Sequence, residues 1–412
     1  MQDLPYLTID FPGIGGVIKA RPEDFFVQEI PLYEPSGEGE HVYVEIEKIN
    51  ATTYDAINRI AGALGIGSRD IGFAGMKDAR AVTRQTLSIP GVTEEQVMYL
   101  KIPDIKLLWA ARHGNKLRIG HLKSNRFAIK VRDVKPTDVI KLRAPLKILS
   151  ERGMPNYFGE QRFGRRDNND RLGAAYVRGD AKALLAELLG RPDPTVDDEA
   201  GMQFRAAFDR GELQEALKLM PPGHRMEFRV LKRLIQSERP QAAVWAVDDK
   251  IRKLWVSALQ SRVFNTIVAK RIGSLGQVMN GDVACKHENG ASFTVEDAAV
   301  EQPRADRFEI SPTGPLVGFR VTLPKGEPLA IEQAAFDAYP ISPNDFRNGS
   351  LKVKGDRRPL RVQPTDVELE AGVDEHGSYI TVAFTLPAGC FATVMMRELM
   401  KNDREEITVE RP

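Results

Sequence analysis

Lys77 and Asp78 stand side by side in the segment IGFAGMKDAR (71–80). A carboxylate beside a cation stays ionised, and an ionised carboxylate serves as a nucleophile or a base. A solvated Lys–Asp pair in a surface turn uses the same two residues, and the dipeptide alone does not choose between these readings. Other chemistry is poorly supplied. Cys285 and His287 form an isolated C-x-H, the six histidines are scattered, and no H-E-x-x-H or paired C-x-x-C occurs. A metal site is therefore not expected. GIGG (13–16) and GALGIG (62–67) fit neither G-x-G-x-x-G nor G-x-x-x-x-G-K-S/T, and read as turns. Cys390 sits among apolar residues, with no evident base to activate it.

The elements that must position Asp78 are legible around it. HVYVEIE (41–47) alternates, with Val42, Val44 and Ile46 on one side, as in a half-buried strand. A helix is predicted from about Thr53, with Ile57, Ile60, Ala61 and Leu64 at helical spacing. Thr52 or Thr53 can cap its start, and Gly65 suits its end. Residues 71–80 read as a short strand running into a tight loop that holds Lys77 and Asp78. RFAIKVR (126–132) alternates again, placing Phe127 with Ile129 and Val131. After about residue 165 helical patterns dominate: 181–189, 204–220, 227–236 and a long helix from about Asp248 to Ile272. Strand signals return in the last 60 or so residues, notably 378–386, followed by a terminal helix at about 391–401. Strands, then helices, then strands predict a sheet-containing domain interrupted by a mostly helical insertion.

The chain has 412 residues, 42% hydrophobic and 28% charged, which is the composition of a folded protein of two or three domains. Its 58 Lys and Arg nearly balance 57 Asp and Glu, for a net charge of +1. That excludes a uniformly basic coat, but not a local basic surface. Between Arg112 and Arg132 there are seven Lys or Arg and no acid, and Arg162, Arg165, Arg166 and Arg171 follow. Such segregation suits a polyanion, and equally a solvated strand face. Two cysteines exclude a disulfide framework and point to a reducing cytoplasm. No apolar run of membrane-spanning length or secretory leader is read in the chain, so no membrane association is expected.

Six stretches together resemble the tRNA pseudouridine synthase D (TruD) family. They are PEDFFVQE (22–29), GFAGMKDARAVTRQ (72–85), HLKSNRFAI (121–129), PNYFGEQRFG (155–164), SALQSRVFN (257–265) and LPAGCFATVMMREL (386–399), in the family's order. The resemblance implies an isomerase that converts uridine to pseudouridine in tRNA, typically at position thirteen, with no cofactor and no metal. It implies an indispensable aspartate, which the motif places at Asp78. Asp78 could attack C1′ of the ribose or take a proton from C2′, and either route needs an ionised carboxylate shielded from water.

The resemblance also implies the supporting residues. Lys19, in VIKARPEDF, is the cation expected to orient Asp78, with Lys77 as a rival for that role. Phe25, Phe127 and Phe391 are expected to face the extruded base, since aromatic faces stabilise one by about 1–3 kcal/mol. Strand parity instead makes Phe127 a core residue. Asn125 resembles the family's polar contact to substrate, and an amide can read a uracil edge; a turn-forming Asn is the alternative. Lys77, Arg84, Lys123, Arg126, Arg162 and Arg165 are the expected RNA contacts. NYFGEQRFG suits RNA contact or a hinge between domains equally.

The expected fold is α+β: a mixed-sheet catalytic domain resembling pseudouridine synthases, residues 1–158 with 356–412, carrying a mostly helical insertion at 159–355. The expected partner is tRNA, with no protein partner implied. Two other functions use the same residues. A non-catalytic RNA-binding or RNA-folding protein has no use for Asp78, and a hydrolytic N-glycosidase would release free uracil.

Overall fold

The computed structural model describes residues 4–347 and 351–402. The chain divides into two compact units, Tyr6–Met154 with Val362–Pro412, and Met1–Pro5 with Pro155–Arg361. In the first unit the chain forms β1 (Phe25–Pro31), β2 (His41–Ile49), α1 (Thr53–Leu64), β3 (Gly72–Phe73), β4 (Val82–Pro90), α2 (Glu94–Met98), β5 (Ile105–His113), β6 (Leu122–Arg132) and α3 (Val139–Arg152).

α1 forms where its signals predict. Thr52 accepts the Asp55 N–H at 3.1 Å, and the Asp55 carboxylate accepts the Thr52 N–H at 3.1 Å, a reciprocal capping box. Gly65 closes the helix in the left-handed region at φ 68°. Ile57, Ile60 and Ala61 then pack against Val42, Val44 and Ile46 of β2 and Leu87 and Ile89 of β4 in one apolar core. The parity of β2 carries one residue further. Lys48 lies on that same face and is fully buried.

The chain passes into the second unit within the two-residue strand β7 (Met154–Pro155). Nine short or long elements follow: α4 (Asn169–Val177), α5 (Ala181–Leu189), α6 (Glu199–Asp209), α7 (Leu213–Leu219), α8 (Arg225–Ser237), α9 (Pro240–Val244), α10 (Asp249–Lys270), β8 (Val283–Lys286) and β9 (Ser292–Thr294). Then come α11 (Ala298–Asp306), β10 (Ile310–Leu316), α12 (Gly326–Asp337), β11 (Asp356–Pro359) and β12 (Arg361–Val362). The long helix α10 is its buried centrepiece, with Trp255, Leu259, Phe264 and Val268 all inside.

Two features here differ from the sequence reading. Residues 204–220 form two helices instead of one, because Gly211 turns the chain at φ 80° between them. In a four-stranded sheet ordered β11–β10–β8–β9, three strands, β8, β9 and β10, precede the region where strands were expected to return. β10 reads ISPTGPL, and Pro312 and Pro315 hide it from propensity arguments even though most of it is buried.

The chain re-enters the first unit and adds β13 (Thr365–Asp374), β14 (Gly377–Pro387) and α13 (Ala392–Met400). The sheet of that unit is ordered β13–β14–β6–β1–β4–β2–β5, with β3 beside β4. The β1–β4 pair is parallel and the other pairs are antiparallel, so the sheet is mixed. The expected α+β class holds.

Candidate active site

The Lys77–Asp78 loop joins β3 to β4 and is held from three sides. The Thr53 hydroxyl, at the first turn of α1, accepts the Lys77 N–H at 3.0 Å and itself donates to Gln85 Oε1 at 3.0 Å. The Lys48 ammonium donates to the Ala51 carbonyl at 2.6 Å and to the Asp78 carbonyl at 3.2 Å. Arg80 donates to the Ala20 carbonyl at 3.3 Å, tying this loop to the segment that carries Lys19.

That second segment is shaped by β6. Val17 and Arg132 exchange backbone hydrogen bonds at 2.8 and 2.9 Å. Gly16 lies at φ 84°, and a Cβ there would meet the Arg132 carbonyl oxygen at 2.5 Å. Lys19 then adopts φ 58°, uncommon for a residue with a Cβ. Arg132 also clamps Asp24, at 2.6 and 3.0 Å, and Asp374 at 2.6 Å. The Arg132 guanidinium holds the Asp374 carboxyl well below the usual range. This clamp fixes the turn from which β1 starts.

The two segments bring Lys19 Nζ to 2.8 Å from Asp78 Oδ2. Asp78 keeps 45% of its side chain exposed, while Lys19 lies deeper. The Lys19 ammonium also sits 4.3 Å from the centroid of the Phe25 ring. The expected pair of Lys19 and Asp78 is thus assembled from residues 59 positions apart.

Lys77 does something different from what the sequence suggested. Its side chain is 5% exposed, and its ammonium lies 2.9 Å from Glu29, which is 1% exposed. It also donates to Asn125 Oδ1 at 2.5 Å. It has no charge left for a phosphate and does not contact Asp78 as a rival to Lys19. Burial pushes the Glu29 carboxyl up, while Lys77 pulls it back down. Asn125 is buried in β6, where it pairs with Glu29 of β1 and Leu386 of β14. The lysine can only donate, so the Asn125 oxygen is occupied and its NH2 is the group left to meet a ligand.

Two of the three aromatic residues expected at the base are buried instead. Phe25 is 2% exposed and Phe127 is 7% exposed. Phe25 meets Phe127 edge-on at 6.5 Å, and Phe127 packs on Phe384 at 5.5 Å. Phe127 holds the core position that strand parity assigns it, and Lys19 covers Phe25. Phe391, at the start of α13, is half-buried. It follows Pro387 by four residues, and Pro387 pairs with Ser124 beside Asn125.

Most of the basic strip is already neutralised. Arg84 pairs with Glu47 at 2.8 Å, Arg126 with Glu368 at 2.9 Å and Lys130 with Asp374 at 3.1 Å. Arg132 is buried in its clamp, and Arg112 lies 3.9 Å from Glu94. Arg84 and Arg126 are therefore not the unmatched charges expected of RNA contacts. In the second unit Arg162 is half-buried, donates to Ser257 at 2.9 Å and lies over the Phe158 ring. Lys123 and Arg165 are exposed, and neither is paired with an acid among the described residues.

Two functional candidates went unclaimed in the sequence. Glu29 ends the stretch PEDFFVQE, but its partner Lys77 lies 48 residues on. Lys48 was visible as a charge on the apolar face of β2. Burial pushes its ammonium down to about 8, with Asp78 opposing and Lys77 reinforcing the shift. Folded, it therefore binds fewer protons than unfolded between about 8 and its ordinary 10.5. The wild type should gain stability relative to Lys48→Met as pH rises through that window. Urea melts of both proteins at stepped pH measure this, and parallel curves would count against a buried ammonium.

The fold and this site define a mixed-sheet domain with a half-exposed carboxylate, paired to a lysine, on the loop that leads into its interior strand β4. Residues 2–399 match the family described as tRNA pseudouridine synthase D (TruD). The chain is 47% identical to the tRNA pseudouridine synthase D of Geotalea daltonii over 400 residues, covering 97% of this chain and 100% of that one. With that of Geobacter metallireducens it shares 47% over 405 residues, covering 97% and 98%. A crystal structure from Methanosarcina mazei, described as a tRNA pseudouridine synthase D, superposes with a TM-score of 0.84 at 28% identity, covering 96% of each chain. The chain belongs to the tRNA pseudouridine synthase D family. No helix among the described residues is long and apolar enough to cross a membrane.

Proposed function

We propose that this protein is a cytoplasmic tRNA pseudouridine synthase that isomerises uridine-13, with Asp78 as its essential carboxylate and Lys19 as the cation that orients it. The observation that carries the reading is the 2.8 Å contact between Lys19 and an Asp78 that still faces solvent. Family membership supports the reaction class. The catalytic domain is the one expected at residues 1–158 and 356–412, with 159–355 as its insertion.

The reaction breaks C1′–N1 and forms C1′–C5. N1 gains a proton and C5 loses one, so oxidation states balance without a cofactor. Asp78 starts it either by attacking C1′ or by taking the C2′ proton, and Lys19 orients the carboxylate for both through its 2.8 Å contact. RNA lying over the exposed carboxylate removes water from it. Asn125 presents its NH2 to a uracil carbonyl, because Lys77 occupies its oxygen. Phe391 supplies the stacking face, and Phe25 and Phe127 form the floor beneath Lys19.

A tRNA transcript with 5-tritiated uridine tests the site of action. Release should vanish when position thirteen alone is changed to cytidine, and undiminished release would sink the position. The phosphate contacts are tested by salt. Lys123→Ala should lower the slope of log affinity against log salt by about 0.7–0.9, one phosphate's worth. Arg126→Ala should leave that slope unchanged, since Glu368 already matches Arg126. Equal effects from both variants would mean that the ion pairs open on the RNA.

A further inference from the structure

Within Arg112–Arg132 the ion pairs leave Lys116, Arg118 and Lys123 without an acidic partner among the described residues. Lys116 and Arg118 line one cavity of about 480 Å³ together with Tyr33, His113, Asn115 and His121. That volume suits a small planar ligand and lies within the range of ligand pockets. None of its lining residues touches Lys19, Asp78 or Asn125 through a hydrogen bond or ion pair among the described residues.

The cavity wall is built, with its rings held by specific bonds. Tyr33 lies nearly parallel to His113, with centroids 5.1 Å apart. Its hydroxyl is 2.8 Å from His121 Nδ1. Tyr43 packs on His113 at 4.5 Å and donates its hydroxyl to the Asn115 carbonyl at 2.9 Å. The Ser36 N–H donates to His113 Nδ1 at 3.2 Å, so a neutral His113 carries its proton on Nε2 and can donate from there. Lys116 donates to the Arg69 carbonyl at 2.8 Å, which leaves its charge uncompensated. Burial and the positive Lys116 together hold neighbouring His41 towards its neutral form, against Glu40.

Planar rings beside uncompensated cations match a nucleotide, whose base stacks while its phosphate meets the charge. Position narrows the source. The Gly120 N–H, on the loop forming the cavity's rim, donates to the Ala74 carbonyl at 2.9 Å. Ala74 precedes Asp78 by four residues, so at most about 14 Å of backbone separates the Ala74 Cα from the Asp78 Cα. An RNA strand with its uridine at Asp78 passes within reach of the cavity.

We propose that this cavity is a second nucleotide pocket, taking the base and phosphate of an unpaired nucleotide that flanks the target uridine on the same strand. The proposal rests on the reading of Asp78 as the uridine site. Tyr33 and His113 offer the stacking surface, and Arg118 and Lys116 take the phosphate.

The test pairs protein variants with abasic tRNA transcripts, read by fluorescence anisotropy of a labelled transcript. Arg118→Ala removes an exposed side chain and does not endanger folding. It should weaken binding several-fold and lower the salt slope by about 0.7–0.9. His113→Leu should weaken binding by about fivefold or more without changing that slope. Deleting the base of the flanking nucleotide should cost the wild type a similar factor and cost His113→Leu nothing further. Tyr33→Leu serves the same cycle should His113→Leu melt early. Independent losses at every abasic position overturn the pocket, and coupling only at a position remote from the target overturns its flanking role. The tritium assay separates the two readings. Release with no coupling removes the pocket alone, whereas coupling with no release by the wild type removes the reading of Asp78.

Discussion

Asp78→Asn is expected to abolish tritium release from a 5-tritiated tRNA transcript, by roughly 10⁴-fold or more, while tRNA binding persists. The substitution keeps the size and shape of the side chain and removes only its charge. An amide neither attacks C1′ nor accepts a proton from C2′, so both routes stop at their first step. Stability should scarcely change. Asp78 is 45% exposed, and an ion pair at such a site is worth at most about 1 kcal/mol. Affinity should hold or rise slightly, because one negative charge facing the phosphates is gone. Equal release from both proteins would remove Asp78 from the chemistry. Free uracil from the wild type would make the enzyme a hydrolase, and tight binding with no release from either protein would leave an RNA-binding protein.

Local signals carried much of this fold. α1 was legible because its cap, its apolar spacing and its closing glycine all lie within 14 consecutive residues. β2, β6 and β14 were legible because strand parity is local too. β10 was not, since its two prolines contradict the strand that its burial and pairing with β8 and β11 enforce. The site divides along the same line. Asp78 and Lys19 stood in recognisable motifs. The state of the basic strip did not, because its acids arrive from far along the chain. Arg126 meets Glu368 and Arg132 meets Asp374, each 242 residues away. Spacing shows where charges cluster, whereas only the folded sheet shows which of them remain unmatched. Lys48 stood between these cases. Extending the parity of β2 by one residue puts it on the core face, a step the 41–47 reading did not take, and only the structure shows it gripping the Asp78 loop.

The buried Glu29–Lys77 pair should show stability and activity moving apart. Lys77→Met strands a carboxylate that is almost fully buried, and should cost about 3–5 kcal/mol near neutral pH. Burial already raises the Glu29 pKa, and losing the lysine raises it further. A carboxyl raised in the folded state binds more protons folded than unfolded, so stability falls as pH climbs through the gap. Lys77→Met should therefore lose less at about pH 5 than at about pH 8. Adding Glu29→Gln removes the stranded charge and should restore most of the stability. Activity should not follow. In the double variant no ammonium fixes the Asn125 oxygen, so the amide is free to turn its acceptor to the uracil carbonyl. The loss in kcat/KM should stay at roughly tenfold or more, the cost of an unmet hydrogen bond. Urea midpoints and tritium release on the same three proteins measure both quantities. Full recovery of activity along with stability would make the pair a matter of folding alone and remove Lys77 from substrate recognition.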